Sequence, residues 1–537
     1  MRPATASSSR SPVSTSSAAA PPRRFERSGV FALLALLAGA AAFLWALLHD
    51  RVLLYGDAAA HLGIARRIVD SATPGPSQLG TVWLPLPHLL MAPFVLSMSL
   101  WRTGAAGAIP SLLAFALATG LLHRLVRRAF GAGAAAWAAL AFCFNPSLLY
   151  LAAVPMTETI YLAAFLGLVD QCGAYAAAGD ERERLRHAWR AGAWGLAGAL
   201  CRYDGWFVLP FALAALALVS GDARRGWSAA WRFCLLSGSG PVFWFVYNLY
   251  YFKDPLAFAR GPGSARQIYL NALRHGGARY PGDHAAGVAT LYFSKAVELA
   301  CGHPLLILAA LGLLAWRGWV RQPVAWLLLL PFPWYVWAMW TGNVPIFVPQ
   351  FWPHGYYNLR YGAQMLPAAA LFSGIAVAAL ARAARRVLVR GLAPGLAIGL
   401  VLLAAQSYLA MLRPPGPPTY AEAVHNAPAR LAMQHALAAA LAPRRPGERV
   451  LLYFASYPEA LADDNIPLHA AIQESNYRLW QAALSAPQRY VTWIVAEAGT
   501  PVATQVPAAA LARYFHPVAR LRVPGEPDIE VYRRNGS

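Results

Sequence analysis

Phe31-Ala32-Leu33-Leu34-Ala35-Leu36-Leu37-Ala38-Gly39-Ala40-Ala41-Ala42-Phe43-Leu44-Trp45-Ala46-Leu47-Leu48 carries no charge, and soon after it comes Tyr55-Gly56-Asp57-Ala58-Ala59-Ala60-His61-Leu62. As a helix, the first stretch is long enough to cross a hydrocarbon core of roughly 30 Å. The second sets a carboxylate and an imidazole four residues apart, on one helical face, just beyond that span. Recurrence of the first pattern decides the fold, and the second opens the question of chemistry.

Apolar stretches recur at 104–122, 132–150, 155–172, 233–251, 303–316, 323–340, 361–381 and 392–412. A further run, 191–220, is broken by Cys201-Arg202-Tyr203-Asp204 and reads as two abbreviated helices meeting at a turn. The expectation is an α-helical polytopic membrane protein of about eleven transmembrane helices. Composition agrees: 58% of the 537 residues are hydrophobic and 13% charged, unlike an ordinary soluble domain.

The net charge of +21 resides in short arginine clusters rather than a nucleic-acid-binding surface. Arg23, Arg24 and Arg27 precede the first span; Arg124, Arg127 and Arg128 follow the second; Arg182, Arg184, Arg186 and Arg190 follow the fourth. Others lie at Arg224 and Arg225, at Arg317 and Arg321, and at Arg382, Arg385, Arg386 and Arg390. Counting spans puts all of them on one face, which the positive-inside bias makes cytoplasmic. Residues 49–103, 145–158, 252–302 and 341–360 then face outward.

Three regions follow. Residues 1–28, rich in Ser, Ala, Pro and Arg, read as a disordered cytoplasmic tail. Residues 29–412 form the membrane domain, and 413–537 a soluble extracytoplasmic α/β domain behind the stiff linker Arg413-Pro414-Pro415-Gly416-Pro417-Pro418. Strand-like runs stand at 449–454, 490–495 and 529–532, and helix-like runs at 470–485 and 506–515. The five cysteines lie in or beside apolar segments without metal-type spacing and read as packing residues.

Asp57 stands just past the end of a span, where a carboxylate can take a proton from an acceptor hydroxyl or hold a metal. The competing reading is an N-cap for a helix over 58–70. Glu158, in Val154-Pro155-Met156-Thr157-Glu158-Thr159, is an ionisable residue at a bilayer edge, a costly placement that marks a cavity. It is also ordinary chemistry for a helix N-terminus. His61 and His88 are candidate substrate or metal contacts. Tyr357 belongs to an aromatic-rich outer segment whose rings either stack on sugars or form the interfacial belt.

An acid shortly after the first span, a long first outer loop, many spans and an outer C-terminal domain together resemble the GT-C superfamily of membrane glycosyltransferases. Protein O-mannosyltransferases and lipid A aminoarabinose transferases are the members it is most similar to. The resemblance implies Asp57 as catalytic base, a polyprenyl-phosphate sugar donor and an acceptor hydroxyl on a lipid, glycan or protein. It also implies transfer at the outer face of the cytoplasmic membrane. Asp57 is followed by alanine, where several members carry paired acids, so Glu158 is the candidate second carboxylate. Arg202 and Arg360 are the candidate donor-phosphate ligands, since a guanidinium clamps phosphate bidentately. A divalent metal is left open, because neither HExxH nor a DxD pair occurs in the outer loops. The alternative is a transporter or lipid flippase, which calls for ionisable residues deep within spans and an internal repeat.

Overall fold

The computed structural model describes residues 26–261, 263–316, 323–387 and 392–536. Most of the N-terminal tail, with Arg23 and Arg24, lies outside the described residues, as do Arg317, Arg321, Arg390 and the side chains of Arg385 and Arg386.

The chain is a multi-pass helical membrane protein. Among the described residues, four helices suffice by length and composition to cross a bilayer: Arg27–Leu48, Ala105–Phe130, Glu158–Ala177 and Leu359–Ala384. Two bent pairs also qualify: Ala132–Cys143 with Pro146–Ala152, at 63°, and Ala286–Cys301 with His303–Ala315, at 109°. Tyr203–Val219, Ala325–Trp340 and Ile398–Met411 are shorter apolar helices. Leu33, Leu37, Leu44 and Leu48 leave one face of the first helix exposed, as a lipid-facing helix requires.

The 252–302 stretch departs from the expected loop. Its second half is the helix Ala286–Cys301, whose Phe293, Ala296 and Ala300 enter the core. It turns sharply at Gly302, where φ is +83° and an added Cβ would meet Met411 and Ser407 at 2.8 Å. Charge content concealed this helix, because its apolar face turns inward while Lys295, Glu298 and His303 pair at its end. At Gly312 a Cβ would sit 1.8 Å from the Phe372 carbonyl. Glycine there lets two helices approach backbone to backbone.

Residues 450–534 contain a five-stranded sheet of order β2-β1-β3-β5-β4, with β1 Val450–Leu451, β2 Ala471–Ile472, β3 Trp493–Glu497, β4 Phe515–Leu521 and β5 Ile529–Arg534. β1 pairs in parallel with β2 and β3, whereas β5 runs antiparallel to β3 and β4. Strands β2 and β4 were not among the expected elements. β2 has two residues, and β4 is an exposed edge strand with a register shift between Pro517 and Ala519, so neither shows a period of two. The helix expected over 470–485 begins only at Arg478.

This module shares a core with the first loop. Leu62, Ala65, Met91, Val95 and Trp101 pack in one cluster with Met433, Leu437, Leu452, Trp493 and Val531. Polar contacts lock the seam: Asp70 accepts from the backbone amides of Leu468 and His469 at 3.2 Å, and Gln78 donates to the Ser475 carbonyl at 2.8 Å. Arg66 and Arg67 are buried, on Asp70 and on the Gln78 carbonyl respectively. The membrane bundle thus has a capped end, and the candidate residues gather beneath the cap.

Candidate active site

Asp57 is the second residue of the helix Gly56–Val69, whose N-cap position is Tyr55 in extended conformation. The carboxylate does not cap that helix; it ion-pairs with Arg360 Nη2, and its side chain stays 43% exposed. Tyr55 is buried, with its hydroxyl donating to the Thr419 carbonyl at 2.6 Å, which sets where the helix starts.

Glu158 opens the helix Glu158–Ala177 and is 1% exposed. Its Oε1 accepts from Arg360 Nε at 3.2 Å and from Arg202 Nη1 at 3.4 Å. Its Oε2 is buried without a hydrogen-bond partner among the described residues. The position at a helix N-terminus favours the anion, and leaving an acceptor of that anion unpaired is unfavourable unless something else fills it.

Arg202 immediately precedes the helix Tyr203–Val219. It reaches Asp204 through Nε at 3.1 Å, Thr157 Oγ1 through Nη1 at 2.9 Å and the Tyr335 hydroxyl through Nη2 at 3.0 Å. Arg360 is the hub, joining Glu158, Asp57 and Glu422, the last through Nη1 at 2.7 Å. Glu422 comes from the helix Pro418–Asn426 just beyond the proline-rich linker, and it also accepts from the backbone amides of Asn358 at 2.9 Å and Arg360 at 3.1 Å. Burial pushes the Glu422 carboxyl above its ordinary range, and the Arg360 guanidinium opposes that shift. A segment assigned to the outer domain therefore supplies a wall of the membrane site.

Asp57, Glu158, Arg202 and Arg360 line one cavity of about 710 Å³. His61 lines it as well, its Nδ1 lying 2.9 Å from His88 Nε2 and its ring against Trp83. Burial, and then Arg202 and Arg360, lower the His61 pKa to about 3. Contrary to the expectation of direct contact, His88 does not line the cavity; it is fully buried behind His61, because Leu86–Met91 packs against the Gly56–Val69 helix. Tyr357 is 47% exposed and likewise not part of the lining, since its backbone bridges to Phe347 on the loop outside.

Arg266 and Glu422 escaped the sequence reading. Arg266 sits near the start of the helix Ala265–Arg274, lines the cavity, donates to the Thr341 carbonyl at 3.1 Å and makes no ion pair among the described residues. Asp204, the acid two residues beyond Arg202, is readable from the sequence as its partner, whereas an arginine in a polar loop leaves no such signal. The remaining wall is aromatic, with Trp206, Phe207, Phe258, Trp334 and Trp337. Among the described residues no three His, Cys, Asp or Glu side chains gather as a metal site; the carboxylates converge on guanidinium instead.

The sequence matches no family model and no curated protein. In three dimensions the chain is similar to ArnT from Cupriavidus metallidurans bound to undecaprenyl phosphate, with a TM-score of 0.56 and 15% identity, covering 96% of this chain and 99% of that one. It is also similar to the Archaeoglobus fulgidus oligosaccharyltransferase in the apo form, with a TM-score of 0.53 and 13% identity, covering 88% of this chain and 70% of that one. The chain has the fold of these two proteins.

Proposed function

We propose that this protein transfers a sugar from a polyprenyl-phosphate donor to an acceptor hydroxyl. The observation that carries the reading is the pairing of Asp57 and Glu158 on one guanidinium at the wall of a cavity, in a chain of this fold. Asp57, the more exposed of the two, takes the acceptor proton as the hydroxyl oxygen attacks the anomeric carbon. Glu158, on the same Arg360 guanidinium, holds that cation in place beside Asp57 and supplies the second negative charge of the wall. The bond from the anomeric carbon to phosphate oxygen breaks, and the phosphate leaves with the electron pair. One displacement of this kind inverts the anomeric centre.

Arg266 and Arg202 stabilise the departing phosphate. Arg360, a phosphate candidate from the sequence, is saturated by three carboxylates, and we assign it the holding of Asp57 and Glu158. The aromatic wall accommodates the first isoprene units of the carrier. A divalent ion would have to displace Arg360 from Asp57 and Glu158, so no step here is routed through one. The arginine clusters support an inner-membrane protein with residues 1–28 in the cytoplasm and residues 413–537, together with the site, on the far face. A lipid-phosphate donor fits that side, where nucleotide sugars are not available.

The test is transfer from a panel of radiolabelled polyprenyl-phosphate sugars by the purified full chain, with Asp57→Asn in parallel. Transfer by the parent and its loss in a folded Asp57→Asn protein are expected. Undiminished transfer by that variant overturns the role of Asp57.

A further inference from the structure

The helix that carries Asp57 begins without a side-chain cap. Tyr55, at its N-cap position, offers no hydrogen bond from its side chain to the first turn, and an uncapped first turn is the part of a helix that frays. What fixes this start comes from beyond the proline-rich linker. Arg430, on the helix Pro428–Leu441, donates through Nη2 to the carbonyls of Leu53 at 2.7 Å and Leu54 at 3.3 Å. Its Cδ and Nε lie 3.6 Å from the place that a Cβ on Gly56 would take, so its stem runs alongside the residue next to Asp57. Through Nη1 it ion-pairs with Glu459, which is 4% exposed and belongs to the helix Pro458–Asp463. The start of that helix presses on the Gly56–Val69 helix at Gly63, where an added Cβ would meet Phe454 at 2.9 Å and Pro458 at 3.3 Å. Arg430 thus ties the start of the Asp57 helix to the element that supports its flank.

Resting on the glycosyl-transfer reading, we infer that Arg430 is a positioning residue for the proposed base: it fixes the first turn of the Gly56–Val69 helix so that the Asp57 carboxylate meets the acceptor hydroxyl. That carboxylate is tied to Arg360, a cation shared with Glu158 and Glu422, so its aim depends on its own backbone staying in place. Arg430 does not line the cavity, and its side-chain partners among the described residues are Leu53, Leu54, Gln434 and Glu459. Its loss should therefore act on the chemical step and spare donor binding. The opposite end of the same helix supplies the control. Asp70 is the C-cap, pairs with Arg66 and accepts from Leu468 and His469 of the same outer module. If the module had only to be fastened to the first loop, loosening either end would have one consequence. If Arg430 positions Asp57, turnover depends on the end that bears the carboxylate, since misplacing a reacting group by roughly 1 Å costs about 100-fold in rate.

The experiment uses the full chain in detergent and a radiolabelled polyprenyl-phosphate sugar that the parent transfers. Arg430→Met alone leaves Glu459 as an unpaired buried charge, which destabilises. The variant measured is therefore Arg430→Met combined with Glu459→Met, in which apolar side chains of similar volume replace the pair. Its kcat per folded molecule should fall about 100-fold, while KM for the donor stays within twofold. Arg430→Lys, whose ammonium can pair with Glu459 and donate to one carbonyl, should retain a larger share of kcat. Asp70→Asn should lower the thermal unfolding midpoint and keep kcat within twofold. Amide hydrogen exchange is a readout independent of turnover: residues 56–60 should exchange faster in the double variant, and residues 66–70 in Asp70→Asn. A folded double variant overturns the inference if its kcat is within twofold of the parent's or no lower than that of Asp70→Asn. Unaltered exchange over 56–60, or a loss confined to donor KM, overturns it as well. A parent that transfers no sugar from any carrier overturns the glycosyl-transfer reading instead, and exchange still decides whether Arg430 holds the helix start.

Discussion

Glu158 and Asp170 stand on one helix, twelve residues and roughly 18 Å apart, and both are buried carboxylates paired with two arginines. Asp170 meets Arg124 and Arg128, each oxygen within reach of a guanidinium, and Gln171 adds a further hydrogen bond at 2.9 Å. Glu158 meets Arg202 and Arg360 through Oε1 alone, and its Oε2 has no partner among the described residues. Only Glu158 lines the cavity. A buried ion pair is therefore not in itself a mark of function, and neither is an oxygen without a hydrogen-bond partner, since Asp170 Oδ1 is one as well as Glu158 Oε2 among the described residues; what separates the two acids is the cavity, which Glu158 lines and Asp170 does not. The Asp170 cluster is a staple between helices. Its arginines are about a third exposed, at 32% and 28%, against 15% and 6% for those of the cavity.

The strongest way to break this contrast is to neutralise each end in turn. Glu158→Gln and Asp57→Asn should each lower transfer by about 10³-fold, the scale of a lost acid–base group, with the thermal unfolding midpoint in detergent nearly unchanged. Asp170→Ala should do the opposite. Removing one partner of a buried pair should cost about 3 kcal/mol, visible as a lower midpoint and yield, while kcat per folded molecule stays within twofold. Catalytic loss in Asp170→Ala with intact stability would erase the distinction.

A smaller effect concerns Arg266, which lines the cavity and makes no ion pair among the described residues. Arg266→Ala should raise KM for the donor about tenfold, whereas Arg128→Ala should leave it unaltered. Smaller still is an acid effect confined to the capped end. The folded His61 pKa, about 3, lies below its ordinary 6.5, so the unfolded chain takes up the proton first as pH falls. The stability held by a neutral His61 is complete above pH 6.5. It then falls by about 1.4 kcal/mol per pH unit toward pH 3. His88 shifts in the same direction, through burial and the neighbouring His61. Unfolding midpoints at pH 7.5 and 5.5 should differ less in His61→Gln than in the parent. Asp170→Asn should keep the parent's difference.

Helix positions were legible because a spanning segment is written in consecutive residues, and the pairing of Asp57 with a non-adjacent acid was legible because both sit at span ends. The helix Ala286–Cys301 was not, since its exposed face carries enough polarity to imitate a loop. Glu422 was hidden for a different reason. Nothing in Tyr420-Ala421-Glu422-Ala423 separates a surface glutamate from one that is 1% exposed against Arg360. Asp57 itself reads equally as a helix cap, and only its ion pair with a residue 303 positions away removes that ambiguity.

By itself the amino-acid sequence determined that the chain lives in a membrane, roughly where its helices run and which ionisable residues stand at their ends. Hydrophobic length and charge placement are local properties, and a bilayer imposes them residue by residue. Tertiary structure alone decided that the module after the proline-rich linker shares a core with the first loop and sends Glu422 into the site. It also decided that Arg360 holds carboxylates together, that Arg266 reaches the cavity and that His88 backs His61. Each of those is a pairing between distant segments. Which charges meet is set by packing geometry, and no local window of sequence contains it.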